Sequence, residues 1–397
     1  MTPTPDGLSI LPPLSHACAE TAHSGIREVA NLALEMPGAI RLEVGQPDFR
    51  TPANICEAAK RAIDDGWTCY TPTRGIPTLR EALIAKLARV NGIAARDEQI
   101  TVGIGGVGVI AAAFASLVEP GDEVLLPDPA WPNFRIMCAW THAQLKTYRC
   151  PAASGFQPDV EHLAAQITPR TKLIVINSPN NPTGVVWERA KIEAMVELAR
   201  SRGVWLLSDE CYDQILLDGA PFSPASRAPD APIISVYTFS KTYAMTGWRL
   251  GYAVAPAPLI DTMAKVLESL CSCAATVSQK AAEEALTGPQ EAVAEMNAAY
   301  RRRRDIVVEI LRARGLLTAV PTGAFYAMAD VSPSGLDSRE FALDMLRERA
   351  VAVAPGSAFG QVASGAVRIS LASSDDDLRE GVGRLCEYVR ERGEKRA

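Results

Sequence analysis

Hydrophobic and polar positions alternate with two different periods along the chain. Apolar residues recur every three to four positions in SGIREVANLALEM (24–36), NICEAAKRAIDDG (54–66) and PTLREALIAKLARVNG (77–92), as in helices that bury one face. The last two stop at Gly66 and Gly92, where a left-handed C-cap is expected. Between residues 123 and 255 the pattern changes to short, continuously apolar runs: EVLLP (123–127), KLIVIN (172–177), VWLLSD (204–209), IISVYT (233–238) and LGYAVA (250–255). Such runs, mostly separated by helical segments, predict an α/β fold with a mainly parallel central sheet flanked by helices and buried on both faces. Beyond about residue 290 a long charged helix (292–315) leads to AFYAMADV, another helix and GAVRIS, the pattern of a smaller α+β domain. The expected division is an N-terminal arm that also contributes to the small domain (1–44), a large α/β domain (45–289) and a small C-terminal α+β domain (290–397).

Composition narrows the class without changing this outline. The 397 residues are 48% hydrophobic and 22% charged, as in an ordinary globular protein. A net charge of −6 speaks against a nucleic-acid or anionic-membrane partner. The run RRRR (301–304) lies in a mixed-charge helix and is expected to be a solvated face. Nine cysteines, scattered singly apart from Cys271 and Cys273, have no zinc-site spacing. They suggest reduced thiols in a cytoplasmic protein, with no metal site. The N-terminus, MTPTPDGLSILPPL, lacks a basic segment and is broken by prolines, so no signal peptide is expected. Val102–Val118 is apolar but contains four glycines and no basic anchor, and reads as a buried strand–helix unit, not a membrane span.

Polar residues collect where the predicted strands end, which in parallel α/β sheets is where ligands bind. KLIVIN runs into SPNNPTG (178–184), VWLLSD ends at Asp209 before ECYD, and IISVYT runs into FSKTYAMTGWRLG (239–251). In one sheet, these ends would bring Asn181, Asp209, Tyr212 and Lys241 to one edge. Upstream, GIGGVG (103–108) follows a strand-like EQITV and precedes a helical VIAAAFASLV. Its spacing fits a dinucleotide fingerprint, with Asp128 as the ribose acid. It also fits a phosphate held at a helix N-terminus, or simply a tight packing turn.

A lysine desolvated beside Arg249 would have a lowered pKa and can form a Schiff base with an aldehyde. Asp209 can hold a protonated ring nitrogen, and Asn181 and Tyr212 can donate to a phenolate oxygen. The glycine turn, with Thr238, Ser240 and Arg249, can cup a dianion. Together these are the parts that hold pyridoxal 5′-phosphate. Each also has a plain reading: Lys241 as a solvated loop residue, Asp209 as a cap, SPNNPTG as a turn-rich loop, Arg249 as a surface ion pair, Trp131 as core.

Order and spacing carry a resemblance that covers nearly the whole chain. LEVGQPDF (42–49), YTPTRGIPTLREAL (70–83), EPGDEVLLPDPAWPNF (119–134), NSPNNPTGVV (177–186), SDECYDQI (208–215), FSKTYAMTGWRLGY (239–252), PTGAFYAM (321–328), VAVAPGSAFG (351–360) and VRIS (367–370) resemble, in sequence order, the class I/II aminotransferases. These are fold-type I pyridoxal-phosphate enzymes, and the likeness is greatest to their aspartate/aromatic branch. The resemblance implies that Lys241 is the Schiff-base lysine, Asp209 the partner of the pyridine nitrogen, and Asn181 and Tyr212 donors to the ring oxygen. It implies that Trp131 stacks on the ring. Gly105, Gly106, Val107, Thr238, Ser240 and Arg249 would bind the phosphate. Tyr70 would reach the phosphate of a second subunit, hence a homodimer with shared sites. Arg368, with Gly45 and Asn181, would hold the substrate α-carboxylate. Thr238 stands where serine is commoner and keeps the hydroxyl; Val107 stands where many members are polar and offers its amide.

GIGGVG is then a phosphate cup, and no hydride chemistry is needed. The implied activity is a ping-pong transfer of an amino group from an L-amino acid to a 2-oxo acid. The same site would also suit a carbon–sulfur β-lyase. A non-catalytic ligand-binding module, as in some transcription regulators, would need a DNA-binding domain for which the N-terminal arm is too short. Arg74, in YTPTRG, is placed either to meet a distal substrate carboxylate or to form a structural ion pair.

Overall fold

The computed structural model describes residues 25–220, 222–227 and 231–395; the expected arm before residue 25 lies outside them. In chain order the strands are β1 (Ile40–Arg41), β2 (Ile100–Gly103), β3 (Glu123–Asp128), β4 (Gln144–Arg149), β5 (Thr171–Asn177), β6 (Trp205–Asp209), β7 (Ile233–Thr238), β8 (Gly251–Val254), β9 (Tyr326–Asp330), β10 (Val351–Ala352), β11 (Ala354–Pro355) and β12 (Ala366–Ser370). A seven-stranded sheet has the order β2-β8-β7-β6-β5-β3-β4. Only β8 runs antiparallel to its neighbours. Side chains of each inner strand alternate between two apolar layers: Leu125, Ile174, Leu206 and Ile233 face one, and Val124, Leu173, Leu207 and Ile234 the other. Both faces are therefore dry, which explains runs of apolar residues without polar alternation.

A third apolar cluster contains Tyr300, Phe325, Phe341 and Tyr388, and Val29 from the helix Gly25–Leu34. It packs the antiparallel sheet β11-β12-β9 against the helices Glu291–Ala313, Ser338–Arg349 and Asp375–Glu394. β1 pairs in parallel with β10, so residues 25–41 join the C-terminal elements. No described helix is long and apolar enough to cross a membrane.

One strand is unmarked by the apolar pattern, and one local reading needs correction. Gln144–Arg149 is a strand that carries no apolar run, because it is an edge strand pairing only with β3 and is largely exposed. The run 301–304 is not simply a solvated face. Arg303 and Arg304 are buried. Arg303 donates to Asp48 at 2.9 and 2.7 Å, and Arg304 to Asp218 at 2.5 Å and to the Pro321 carbonyl at 2.9 Å. A guanidinium fork satisfies several acceptors at once, which makes such burial tolerable.

Candidate active site

The site is built where β5, β6 and β7 end. Asn177 and Asp209 are register partners at the ends of β5 and β6. Asn177 Nδ2 donates to the Asp209 carbonyl at 3.0 Å, and its Oδ1 accepts from the Asn181 N–H at 2.8 Å. One buried side chain thus fixes both the strand end carrying Asp209 and the loop carrying Asn181. That loop turns at Gly184, where φ is +69° and an added Cβ would lie 2.1 Å from the Tyr326 carbonyl, so only glycine fits. At the end of β7, Thr238 Oγ1 accepts from the Ser240 N–H at 3.2 Å, capping the short helix Phe239–Thr242 that carries Lys241. Lys241 Nζ donates to the Gly45 carbonyl at 2.7 Å.

The glycine run opens the helix Gly105–Leu117. Gly105 has φ +76°, and a Cβ there would sit 2.7 Å from Arg249 Nη2; a Cβ on Gly106 would sit 2.9 Å from Cys211 Sγ. Small residues therefore leave helix N–H groups open beside a guanidinium, an anion cradle. Asp128 does not reach toward this turn. Its buried carboxylate accepts from the Gln361 and Val362 N–H groups, both at 3.1 Å, and packs against Gly360. The dinucleotide reading thus loses its ribose acid.

Twelve of the fourteen expected site residues line one cavity of about 260 Å³: Gly45, Gly106, Val107, Trp131, Asn181, Asp209, Tyr212, Thr238, Ser240, Lys241, Arg249 and Arg368. Gly105 lies against Arg249 at its edge. Tyr70 takes no part in the cavity of its own chain and is 86% exposed. Arg74 is also elsewhere: Nε donates to the Ile100 carbonyl at 3.1 Å, and the guanidinium pairs with Asp97 at 3.6 Å, the structural alternative. Among the described residues no cluster of three or more His, Cys, Asp or Glu is placed to hold a metal ion.

Burial sets the electrostatics. It lowers the Lys241 ammonium to about 8, with Arg368 and Arg249 adding repulsion and Cys211 and Asp209 opposing. It raises the Asp209 carboxyl, against hydrogen bonding from Cys211, whose N–H donates to Oδ1 at 3.1 Å. Arg368 Nη1 donates to Asn181 Oδ1 at 2.9 Å and Nη2 to the Glu43 carbonyl at 2.6 Å. The guanidinium lies 4.3 Å from the ring centre of Tyr326 and 5.0 Å from that of Phe359, and its buried Nε has no partner among the described residues.

Several contributors carry no signal in isolation. Tyr326, in PTGAFYAM, shares a 2.9 Å hydrogen bond with Tyr212 and lines the cavity, as do Ile26, Ile110 and Cys211. Beneath the site, Lys86 is ion-paired with Asp213 and donates to Asn91 Oδ1 at 2.8 Å. Next to Asp209, Glu210 accepts from Ser223 and Tyr237 hydroxyls, both at 2.9 Å, and burial raises its carboxyl to about 7.

A buried lysine at the carboxyl edge of a mostly parallel sheet shares its cavity with a buried aspartate and an anion cradle, and the fold is that of the fold-type I pyridoxal-phosphate enzymes. The chain belongs to the aminotransferases of class I and II, whose family model matches residues 37–385. It is 41% identical over 353 residues to the aspartate/prephenate aminotransferase of Thermus thermophilus, covering 88% of this chain and 91% of that one. It is 38% identical over 377 residues to aromatic-amino-acid aminotransferase 2 of Thermococcus litoralis, covering 93% and 96%. The Thermus thermophilus aspartate aminotransferase solved with maleate superposes with a TM-score of 0.91 at 39% identity, covering 95% and 100%. A tetra mutant of the same enzyme, solved with tryptophan, gives the same TM-score, identity and coverage. This chain is an aminotransferase that moves amino groups between amino acids and 2-oxo acids, and its use of pyridoxal phosphate is an inference from the family.

Proposed function

We propose that the cavity around Lys241 is the seat of a ping-pong transamination and that its walls hold pyridoxal 5′-phosphate. The group, when bound, supplies an aldehyde that links to amines and a charged ring that accepts electrons. The residues suit it. Asp209 is a buried carboxylate short of a cation, which a protonated ring nitrogen provides. The turn Gly105–Val107, Thr238, Ser240 and Arg249 form a cradle for a dianion, and Trp131, Asn181 and Tyr212 line the space between.

Arg368 orients the substrate. Its Nη1 and Nη2 are fixed by Asn181 and Glu43, and each retains a second N–H for an α-carboxylate. Lys241 Nζ, lowered toward neutrality, takes the proton from the substrate Cα and returns it as general acid–base. The exposed Tyr70 serves a second copy of the chain, giving a homodimer with shared sites. The setting is cytoplasmic: none of the eight described cysteines is in a disulfide.

The carrying observation is the buried Lys241 amine in one cavity with Asp209 and Arg368. Borohydride treatment of the vitamer-saturated protein, followed by peptide mass spectrometry, should place the label on Lys241. Lys241→Ala should lose the label and all turnover. A fully active variant, or a label elsewhere, refutes the assignment.

A further inference from the structure

The charged side chains on the cavity wall, among the described residues, are Asp209, Lys241, Arg249 and Arg368. The reading above employs all of them: Asp209 for the ring nitrogen, Lys241 for the aldehyde, Arg249 for the phosphate and Arg368 for the α-carboxylate. No described cation is left on the wall for a second substrate carboxylate. Arg74, the one candidate in the sequence, is spent on Ile100 and Asp97 and lies off the wall.

Besides Asn181, Tyr212, Thr238 and Ser240, which the same reading gives to the cofactor, and the Tyr326 hydroxyl and Cys211 thiol, the wall is apolar. Ile26 comes from the helix Gly25–Leu34, and Val107 and Ile110 stand one turn apart on the helix Gly105–Leu117. Trp131 stands edge-on to Phe134, with ring centres 5.5 Å apart. A carboxylate placed against such a surface loses its hydration and gains no partner, whereas a hydrocarbon side chain is favoured there. The fold itself does not dictate the choice, since the Thermus thermophilus enzyme is solved with a dicarboxylate and, in a tetra-mutant form, with an aromatic amino acid.

We propose that this enzyme selects monocarboxylic amino acids with apolar or aromatic side chains and discriminates against aspartate and glutamate. The proposal rests on the residue roles given under Proposed function. It is tested on the holoenzyme with two unreactive ligands, 3-phenylpropanoate and maleate, by calorimetry, and with phenylalanine, leucine, aspartate and glutamate in single-turnover spectral assays. Expected are at least ten-fold tighter binding of 3-phenylpropanoate than maleate, and at least ten-fold faster reaction per unit concentration for phenylalanine or leucine than for either acid. V107K, which supplies a cation to the wall, should tighten maleate at least ten-fold; no gain would refute missing charge as the cause. Equal or tighter maleate binding by the unaltered enzyme, or aspartate reacting as fast as phenylalanine, overturns the proposal. In that case the borohydride label on Lys241 remains. Loss of the label together with no spectral response to any amino acid overturns the underlying roles as well.

Discussion

Replacing Lys86 by methionine tests how the floor of the site is held. Lys86 ends the helix Pro77–Lys86 and is 3% exposed; Asp213, four residues beyond Asp209 and next to Tyr212, is 7% exposed. The ammonium also lies 4.5 Å from the ring centre of Tyr237. Methionine fills nearly the same volume, so the packing loss is small and the electrostatic loss dominates. Asp213 would retain the Asn91 amide at 3.0 Å but no cation. Breaking a buried pair from one side costs about 3–5 kcal/mol. For 397 residues the unfolding entropy is on the order of 0.8 kcal/mol per degree, so the melting midpoint should fall by about 5 °C. The double variant Lys86→Met/Asp213→Asn removes the stranded charge and should recover at least half of that loss. Melting by circular dichroism at one fixed protein concentration makes the comparison, because a dimer's midpoint depends on concentration. A double variant that melts as low as the single, or a single variant within 1 °C of the parent (roughly the effect of a surface change), would show that the pair does not hold the floor.

Glu210→Gln should change the pH dependence of stability with a defined sign. The folded protein keeps the Glu210 proton up to about 7, whereas the unfolded chain releases it near the ordinary 4.5. The folded state therefore binds more protons between these values. The stability contribution is fully present below 4.5 and is lost as pH rises through about 7, by at most about 3 kcal/mol. Urea titrations from pH 4 to 8 (roughly the range that brackets both values) should give a flatter profile for Glu210→Gln; parallel profiles refute the burial argument. Gly184→Ala should cost more than Gly203→Ala, because a Cβ at 184 meets the Tyr326 carbonyl whereas one at 203 meets nothing within 4 Å. Left-handed strain alone is worth about 1–2 kcal/mol, so Gly203→Ala should stop there while Gly184→Ala exceeds it and also raises KM through Asn181. Finally, Tyr70→Ala and Lys241→Ala subunits, mixed and re-associated, should regain activity above either parent. One hybrid site then combines an intact lysine with an intact tyrosine; no gain means that Tyr70 does not serve its partner.

The edge of the candidate site was legible because β5, β6 and β7 are buried on both faces. Their apolar runs end abruptly in Asn177, Asp209 and Thr238, and strand register does the rest. What escaped depends on partners distant along the chain. The burial of Arg303 and Arg304 is decided by Asp48 and Asp218, 255 and 86 positions away, and in isolation four arginines look solvated. Lys86 and Asp213 are separated by 127 residues and Tyr212 and Tyr326 by 114, so no local period marks either pair. β4 was invisible for the opposite reason: an edge strand with one neighbour needs no apolar run, and its exposed polar residues guard the edge.

Three long-range contacts converge on residues 43–48. Arg368 Nη2 holds the Glu43 carbonyl, Lys241 Nζ the Gly45 carbonyl, and Arg303 the Asp48 carboxylate. The amine proposed to move the proton and the guanidinium proposed to grip the substrate are therefore bonded to the same short stretch of backbone, two residues apart. A substrate carboxylate that draws on Arg368 acts on a group already tied to the strand of chain that accepts from Lys241. The third anchor, from the helix Glu291–Ala313, keeps that stretch from following either side chain alone. Arg303 of the charged run thus steadies the stretch that both groups hold, whereas its neighbour Arg304 is buried against Asp218 and the Pro321 carbonyl.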